Sequence, residues 1–416
     1  MIAVTYIEFL VKNAVDNICA SLMDRPERVV FLGDNRKQLE RNVALYRDVF
    51  ARRGYEPELI WRTVNKNRAE DVLAELRRMR EMYPGCVFDA TGGEDLYLVA
   101  LGMLYGECGG TDISIQRANI NSGTFQRYAG ENKWVSTRGM PSLSVEEHAA
   151  VFGGRVVYEG EVPLGTQVWD MSGEFTADVK GIWQICRENT RQWNQQIKVL
   201  ETIERHRDGE SGMLTSDVSV DVLLAALNRP SLDSVIHTDI LAGLIRGGFI
   251  EEFSERDGML RVTYKDLQVK RCLTKAGQAL ELRVFLAMRE ATGEAREPVY
   301  NDAMTGVCID WDGRVPEEGS NGPQNEIDVL AMRGVIPVFV SCKNGMVEVD
   351  ELYKLYSVAE NFGGKYARKI LIVNGLDPDS DFGRYFSQRA EELSVRVITD
   401  FPERTEEELL RLVKSF

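Results

Sequence analysis

Between Ile2 and Tyr105 short β-branched strands alternate with amphipathic helices, and this alternation restricts the fold more than any other feature of the chain. Strands are expected at Ile2–Leu10, Arg28–Leu32, Pro57–Arg62 and Cys86–Ala90. Helices are expected at Asn13–Met23, Lys37–Arg53, Ala69–Met82 and Leu96–Tyr105. In the second helix Leu39, Val43, Tyr46 and Phe50 recur at helical spacing. Strand alternating with helix builds a parallel sheet covered on both faces. Ligands of such sheets sit beyond the carboxyl ends of the strands. At those ends the chain places Gly33-Asp34-Asn35 and Thr91-Gly92-Gly93-Glu94-Asp95. Glycine lets backbone N–H groups approach a ligand, and a helix start favours phosphate. The second of these stretches also reads as an ordinary strand-to-helix turn.

A second constraint lies near the other end. Gln324-Asn325-Glu326-Ile327-Asp328-Val329-Leu330 and Ile336-Pro337-Val338-Phe339-Val340-Ser341-Cys342-Lys343 read as two strands joined by a turn at Gly334. Alternate side chains of a strand share a face. Glu326 and Asp328 therefore point together, as do Ser341 and Lys343, and a hairpin would bring carboxylate and ammonium to one spot. A carboxylate holding Mg²⁺ or Mn²⁺ beside a lysine that orients water is machinery for phosphodiester hydrolysis. Upstream, Thr274 is a plausible N-cap for an amphipathic helix running to Glu290. That helix carries Glu281 among Leu280, Leu282, Val284 and Phe285, where a carboxylate needs a partner or a metal unless it is solvated. A strand at Thr305–Trp311, a flexible stretch at Asp312–Gly322, a helix at Val349–Phe362 and a strand at Lys369–Val373 complete this region.

The 416 residues exceed one ordinary domain. A net charge of −15 argues against non-specific coating of nucleic acid but not against a local basic groove. No apolar run is long enough to span a membrane and no signal peptide is apparent, so a cytoplasmic protein is expected. Seven cysteines without a CxxC pair fit neither a zinc site nor a disulfide framework, and three scattered histidines disfavour His-centred catalysis.

In the middle, Ala177–Ile197 reads as one or two linking helices whose Trp183 and Trp193 pack at a seam. Beyond it, Val222–Leu227 and Ile236–Arg246 read as helices. Phe249–Phe253 and Met259–Tyr264 read as strands around Asp257-Gly258. Together they resemble a winged helix, whose second helix often enters DNA. Here that helix shows only His237, Thr238, Asp239 and Arg246, so a spacer role competes with DNA reading.

A strand ending in Thr-Gly-Gly before a polar residue and an apolar helix resembles the CARF domain, the Rossmann-like sensor of cyclic oligoadenylates in type III CRISPR systems. The resemblance places the other ligand loop at Leu10–Asn17. That makes Val11, Lys12, Asn13, Asn17, Asp34, Asn35, Thr91, Gly92, Gly93, Glu94 and Asp95 candidate ligand contacts. Many relatives have Lys or Thr where this chain has Glu94-Asp95, which would meet ribose hydroxyls or adenine amines rather than phosphate.

The C-terminal order of helix, three strands, helix and strand resembles the PD-(D/E)xK nuclease core of CARF-fused effectors. Its marks are Gly277–Glu281, Asn325–Val329 and Ser341–Lys343. The expected organisation is a sensor domain at 1–170, linker helices and a winged-helix-like unit at 171–270, and a nuclease domain at 271–416. The resemblance implies a homodimeric nuclease switched on by a cyclic oligoadenylate, cyclic tetra-adenylate first, that cuts DNA and/or RNA. Glu281, Asp328, Ser341 and Lys343 would be catalytic. Glu281, Asp328 and the Cys342 carbonyl would hold Mg²⁺ or Mn²⁺. The motif normally has Glu or Gln where this chain has Ser341, a weaker ligand, and Glu281 or Glu326 would supply the charge. The alternatives are a ligand-responsive transcription regulator with an inactive nuclease fold, and a restriction-type endonuclease whose first domain binds an ordinary nucleotide.

Overall fold

The computed structural model describes residues 4–120, 122–130, 133–162, 165–209, 211–310 and 325–416. The expected flexible stretch Asp312–Gly322 lies outside the described residues, as do Ile2, Trp311 and Gln324 at the ends of expected strands.

The first sheet contains β1 (Thr5–Phe9), β2 (Arg28–Gly33), β3 (Glu58–Thr63), β4 (Cys86–Asp89), β5 (Ile113–Asn119), β6 (Thr124–Tyr128) and β7 (Trp134–Gly139). Its order is β3-β2-β1-β4-β5-β6-β7, parallel through β5 and antiparallel beyond it. The strand order reverses between β1 and β4. In a doubly wound sheet that switch point opens the ligand crevice. The two loops expected to hold a ligand, after β1 and after β4, flank it. The expected helix Asn13–Met23 is instead a 3₁₀ turn, Ala14–Asn17, followed by the helix Cys19–Asp24. Asn17 causes the break. Its side chain accepts from Val11 N at 2.9 Å and donates to Val11 O at 3.0 Å, curling the loop over itself.

The short strand β8 (Arg155–Val156) does not join the first sheet and pairs instead with the strand Asp302–Asp310 of the third. The middle unit has helices Val220–Leu227 and Thr238–Arg246, with β9 (Thr215–Ser219), β10 (Ile250–Arg256) and β11 (Met259–Tyr264) in the order β10-β11-β9, a winged-helix arrangement. The helices Gly173–Glu188 and Thr190–Arg205 support it, with Trp183 and Trp193 buried. Trp183 meets Phe401 edge-on at 5.6 Å between centroids, which sets it at the seam with the C-terminal unit.

The third sheet contains β12 (Asp302–Asp310), β13 (Asn325–Arg333), β14 (Ile336–Asn344), β15 (Arg368–Asn374) and β16 (Val395–Ile398), ordered β16-β15-β14-β13-β12-β8. One face, with Val329, Val338 and Val340, packs with the middle unit and the helix Gln278–Glu290. The other face shares a core with the first unit. Phe339, Leu352 and Phe362 join Val15, Ile18, Phe31 and Tyr46 in one apolar cluster. Thr274 does not cap the Glu281 helix as expected. It ends the preceding helix Leu267–Leu273, and its hydroxyl donates to Lys270 O at 2.8 Å. Gly277, at φ 86°, resets the chain before Gln278, a conformation costly for any side-chain-bearing residue.

Candidate active site and ligand pocket

β13 and β14 pair from Arg333–Ile336 to Val329–Val340, where their ladder stops although both strands continue. β13 stays with β12, and β14 stays with β15. The strands therefore fork, and Asp328 fills the fork. Its Oδ2 accepts from Cys342 N at 2.6 Å, where a ladder carbonyl would otherwise be, and from Ser341 Oγ at 3.1 Å. Lys343 Nζ lies 3.8 Å from the same oxygen and 3.1 Å from Glu351 Oε2. Glu326, Asp328, Ser341 and Lys343 line one cleft of about 330 Å³, together with Glu351 and Lys354. In the sequence Glu351 and Lys354 stand out only as part of the helix expected at Val349–Phe362. Their signal was an acidic helix start, Asp350-Glu351, close after the catalytic-type lysine.

Glu281, on the helix packed against the opposite face of the sheet, is not among the residues that line this cleft, but the charges of Asp328 and Lys343 act on it. It is 6% exposed, and its Oε2 accepts from Gln278 Nε2 at 3.1 Å. A Cβ on Gly277 would sit 3.0 Å from Glu281 Oε1, so the glycine also leaves room for this carboxylate. Burial, then the neighbouring Asp328 charge, push Glu281 up to about 8. Burial also raises Asp328, against the pull of Lys343. Lys343 stays above the usual lysine range despite burial, because Asp328 and Glu351 stabilise its charge. Glu326 is paired with Lys275 at 2.5 Å.

Among the described residues no three His, Cys, Asp or Glu side chains converge as a ready-made metal cage. Mg²⁺ seldom uses one. It takes one or two carboxylates, several waters and substrate oxygens. Asp328 and Glu281 suit that pattern as hard oxygen donors, and the raised Glu281 is a buried carboxyl short of positive charge. The Cys342 thiol is buried and pushed well up, so only its backbone is available to a hard cation.

At the switch point of the first sheet, Thr91 Oγ1 accepts from Ala118 N at 2.6 Å, and Asp89 Oδ1 accepts from Thr91 N at 2.7 Å. Gly92 and Gly93 turn toward β1, not outward. A Cβ on Gly92 would meet Phe9 O at 2.8 Å, and Gly93 has φ 101°. Their small size is thus first a packing requirement. Asn17 is buried and committed to Val11 and to the Tyr46 hydroxyl, 2.8 Å away. Asn35 caps the helix Arg36–Arg52 by accepting from Gln38 N at 3.2 Å. Lys66 bridges Asp34 (3.1 Å) and Glu94 (2.7 Å), so these carboxylates reach any ligand already balanced by a cation. Val11 is half-buried, while Lys12 and Asp95 are exposed. Asn13 is buried with neither amide atom hydrogen-bonded among the described residues. Such a group costs roughly 1–3 kcal/mol. Thr91 opens onto a pocket of about 350 Å³ that also receives Arg117, Asn119 and Tyr366. The last three escaped the sequence reading because they are distant in the chain, and Tyr366 belongs to the C-terminal unit.

No protein-family model matches the sequence, and no curated protein does. Solved structures match along nearly the whole chain. Protein VC1899 from Vibrio cholerae superposes with a TM-score of 0.72 at 16% identity, covering 99% of this chain and 97% of its own. Can2 from Sulfobacillus thermosulfidooxidans, solved in complex with cyclic tetra-adenylate, gives 0.66 at 16% identity, covering 98% and 99%. The chain shares their fold. The expected architecture therefore holds: a Rossmann-like unit, a winged-helix-like unit and a restriction-endonuclease-like unit. A likeness at this identity fixes the fold, and the chemistry rests on the side chains described above.

Proposed function

We propose that this protein is a cyclic oligoadenylate-activated, Mg²⁺- or Mn²⁺-dependent nuclease of a type III CRISPR system, acting as a homodimer on DNA and/or RNA. One observation carries the reading: a carboxylate and a lysine meet 3.8 Å apart at a fork between two strands, with a buried glutamate behind them. Asp328 and Glu281 would hold the divalent ion, which supplies Lewis-acid polarisation of the scissile phosphate. Ser341 and Cys342 N fix the Asp328 carboxylate in one orientation. Lys343 orients the attacking water and offsets the negative charge that grows on the phosphorus oxygens. Ser341 positions Asp328, which is how the site works without the usual acidic residue there. Cyclic tetra-adenylate is the activator to try first, by likeness of fold to Can2.

Support for a dimer comes from the helix Asp95–Cys108. Leu98, Val99 and Met103 are 40%, 53% and 49% exposed, and nothing lies within 4 Å of where Gly102 and Gly106 would carry a Cβ. A two-fold contact along this face would set the two ligand turns side by side.

The test separates catalysis from sensing. Asp328→Asn and Lys343→Met should each lower Mn²⁺-dependent cleavage by roughly a hundredfold or more, while calorimetric binding of cyclic tetra-adenylate stays as in the wild type. Cleavage undiminished in both variants would remove the site.

A further inference from the structure

The helix Asp350–Phe362 has one end in each site. At its start Glu351 holds Lys343 at 3.1 Å in the cleavage cleft. Its end runs into the turn Gly364–Tyr366, which touches the sensor unit at several points. Lys365 Nζ pairs at 2.6 Å with Asp16, whose side chain is fully buried in the loop after β1. Gly364 lies against Asn13 so closely that a Cβ there would overlap the Asn13 side-chain oxygen. His148 Nε2 hydrogen-bonds Phe362 O, the last carbonyl of the helix, at 2.6 Å. Tyr366 enters the pocket of Thr91, Arg117 and Asn119. With 13 residues, the helix is about 20 Å long at 1.5 Å per residue.

Building on the proposed function, we infer that the ligand pocket is composite. Tyr366 of the C-terminal unit contacts the bound adenine nucleotide, and the Asp16–Lys365 pair ties that contact to the helix that ends on Lys343 through Glu351. Three observations support it. The pocket combines a guanidinium for phosphate with an aromatic ring for a base, the chemistry an adenine oligonucleotide requires. Arg117 is held for that task, since its guanidinium lies 4.3 Å from the Trp134 ring centroid and its Nε donates to Gln126 at 3.0 Å. Asn13, buried beside Gly364 with no hydrogen bond to its amide among the described residues, puts an unmet polar group at the contact between loop and turn. A helix is stiff along its axis, so displacement of the turn is felt at Glu351. The Glu351 carboxylate decides whether Lys343 is held to it or free for the substrate. A ligand that favours one position of the turn thereby favours one state of the lysine, the differential affinity that activation requires.

The experiment measures cyclic tetra-adenylate binding by calorimetry, and the ratio of nucleic-acid cleavage with and without it, on the full-length wild type and three variants. Tyr366→Ala should weaken binding at least tenfold, and Tyr366→Phe should keep it within threefold. Lys365→Met changes a side chain that is 55% exposed but leaves the buried Asp16 without its cation, so its melt is compared with that of the wild type. It should bind ligand within threefold of wild type, yet its activation ratio should fall toward one. Wild-type affinity in Tyr366→Ala, or a wild-type activation ratio in Lys365→Met, would overturn the inference and leave the proposed function standing. A wild type that neither binds nor responds to the ligand would overturn both. Thermal melts of each variant identify any loss caused by unfolding, and if Tyr366→Ala unfolds, Lys365→Met decides the question.

Discussion

At neutral pH the Glu281 carboxyl carries a proton, because burial and the neighbouring Asp328 push it up to about 8. Folded, it binds that proton more tightly than in the unfolded chain. Its contribution to the stability of the metal-free protein is therefore full below the ordinary glutamate value and is lost as pH rises through about 8. A divalent ion bound at Asp328 and Glu281 must displace the same proton, so metal and proton compete. Mn²⁺ affinity should rise close to tenfold per pH unit from pH 6 to about pH 8 and then level off. In Glu281→Gln it should be weaker and flat across this range. Calorimetric titration at several pH values checks both; a pH-independent wild-type affinity would separate Glu281 from the ion. The sequence marked this residue through the conflict of a glutamate inside an apolar stripe. Glu351 carried no such conflict, because an acidic residue at a helix start is ordinary, and only the folded chain shows it holding Lys343.

Regular elements were legible wherever a period was strong. Strands β2 to β4 and the helices Arg36–Arg52 and Ala69–Met82 follow from apolar runs and 3.6-residue spacing, with ends displaced by about a residue, whereas β1 is described over Thr5–Phe9 and the helix after it is broken at Asn17. β5, β6 and β7 were not read, since Arg117, Gln126, Arg127 and Arg138 interrupt their apolar character at the sheet's outer end. The helix Leu267–Leu273 has no expected counterpart, and its successor is expected to start at Thr274 rather than Gln278 because the left-handed turn at Gly277 leaves little trace in the apolar pattern. The helix Asp95–Cys108 was read as apolar, and the structure adds that its apolar residues are divided between core and surface. That division makes a prediction at the level of the element. Val99→Glu combined with Met103→Glu should convert the protein from dimer to monomer in light scattering, because paired carboxylates cannot be buried in a symmetric apolar seam. It should also weaken ligand binding at least tenfold while leaving the melting temperature within a few degrees. An unchanged mass would place the dimer contact elsewhere.

Across the whole molecule, the third sheet lies between the other two units, with the middle unit on one face and the first unit on the other. The motifs gave the parts and their order but not this packing, since nothing local in the sequence records that Val15 and Phe362 share a core. The packing pairs Asp16 with Lys365, nearly 350 positions away, and sets Tyr366 in one pocket with Thr91 and Arg117. It also makes an allosteric reading physical, because a shift at the first sheet meets the end of the helix that grips Lys343. No described helix is long and apolar enough to cross a membrane. The most direct measurement is cleavage of supercoiled plasmid and of labelled RNA by the wild type in Mn²⁺, with and without cyclic oligoadenylates of each ring size. The account predicts cleavage that needs the metal and rises at least tenfold with one ring size; cleavage indifferent to every ring, or undiminished by chelation of the metal, would contradict it.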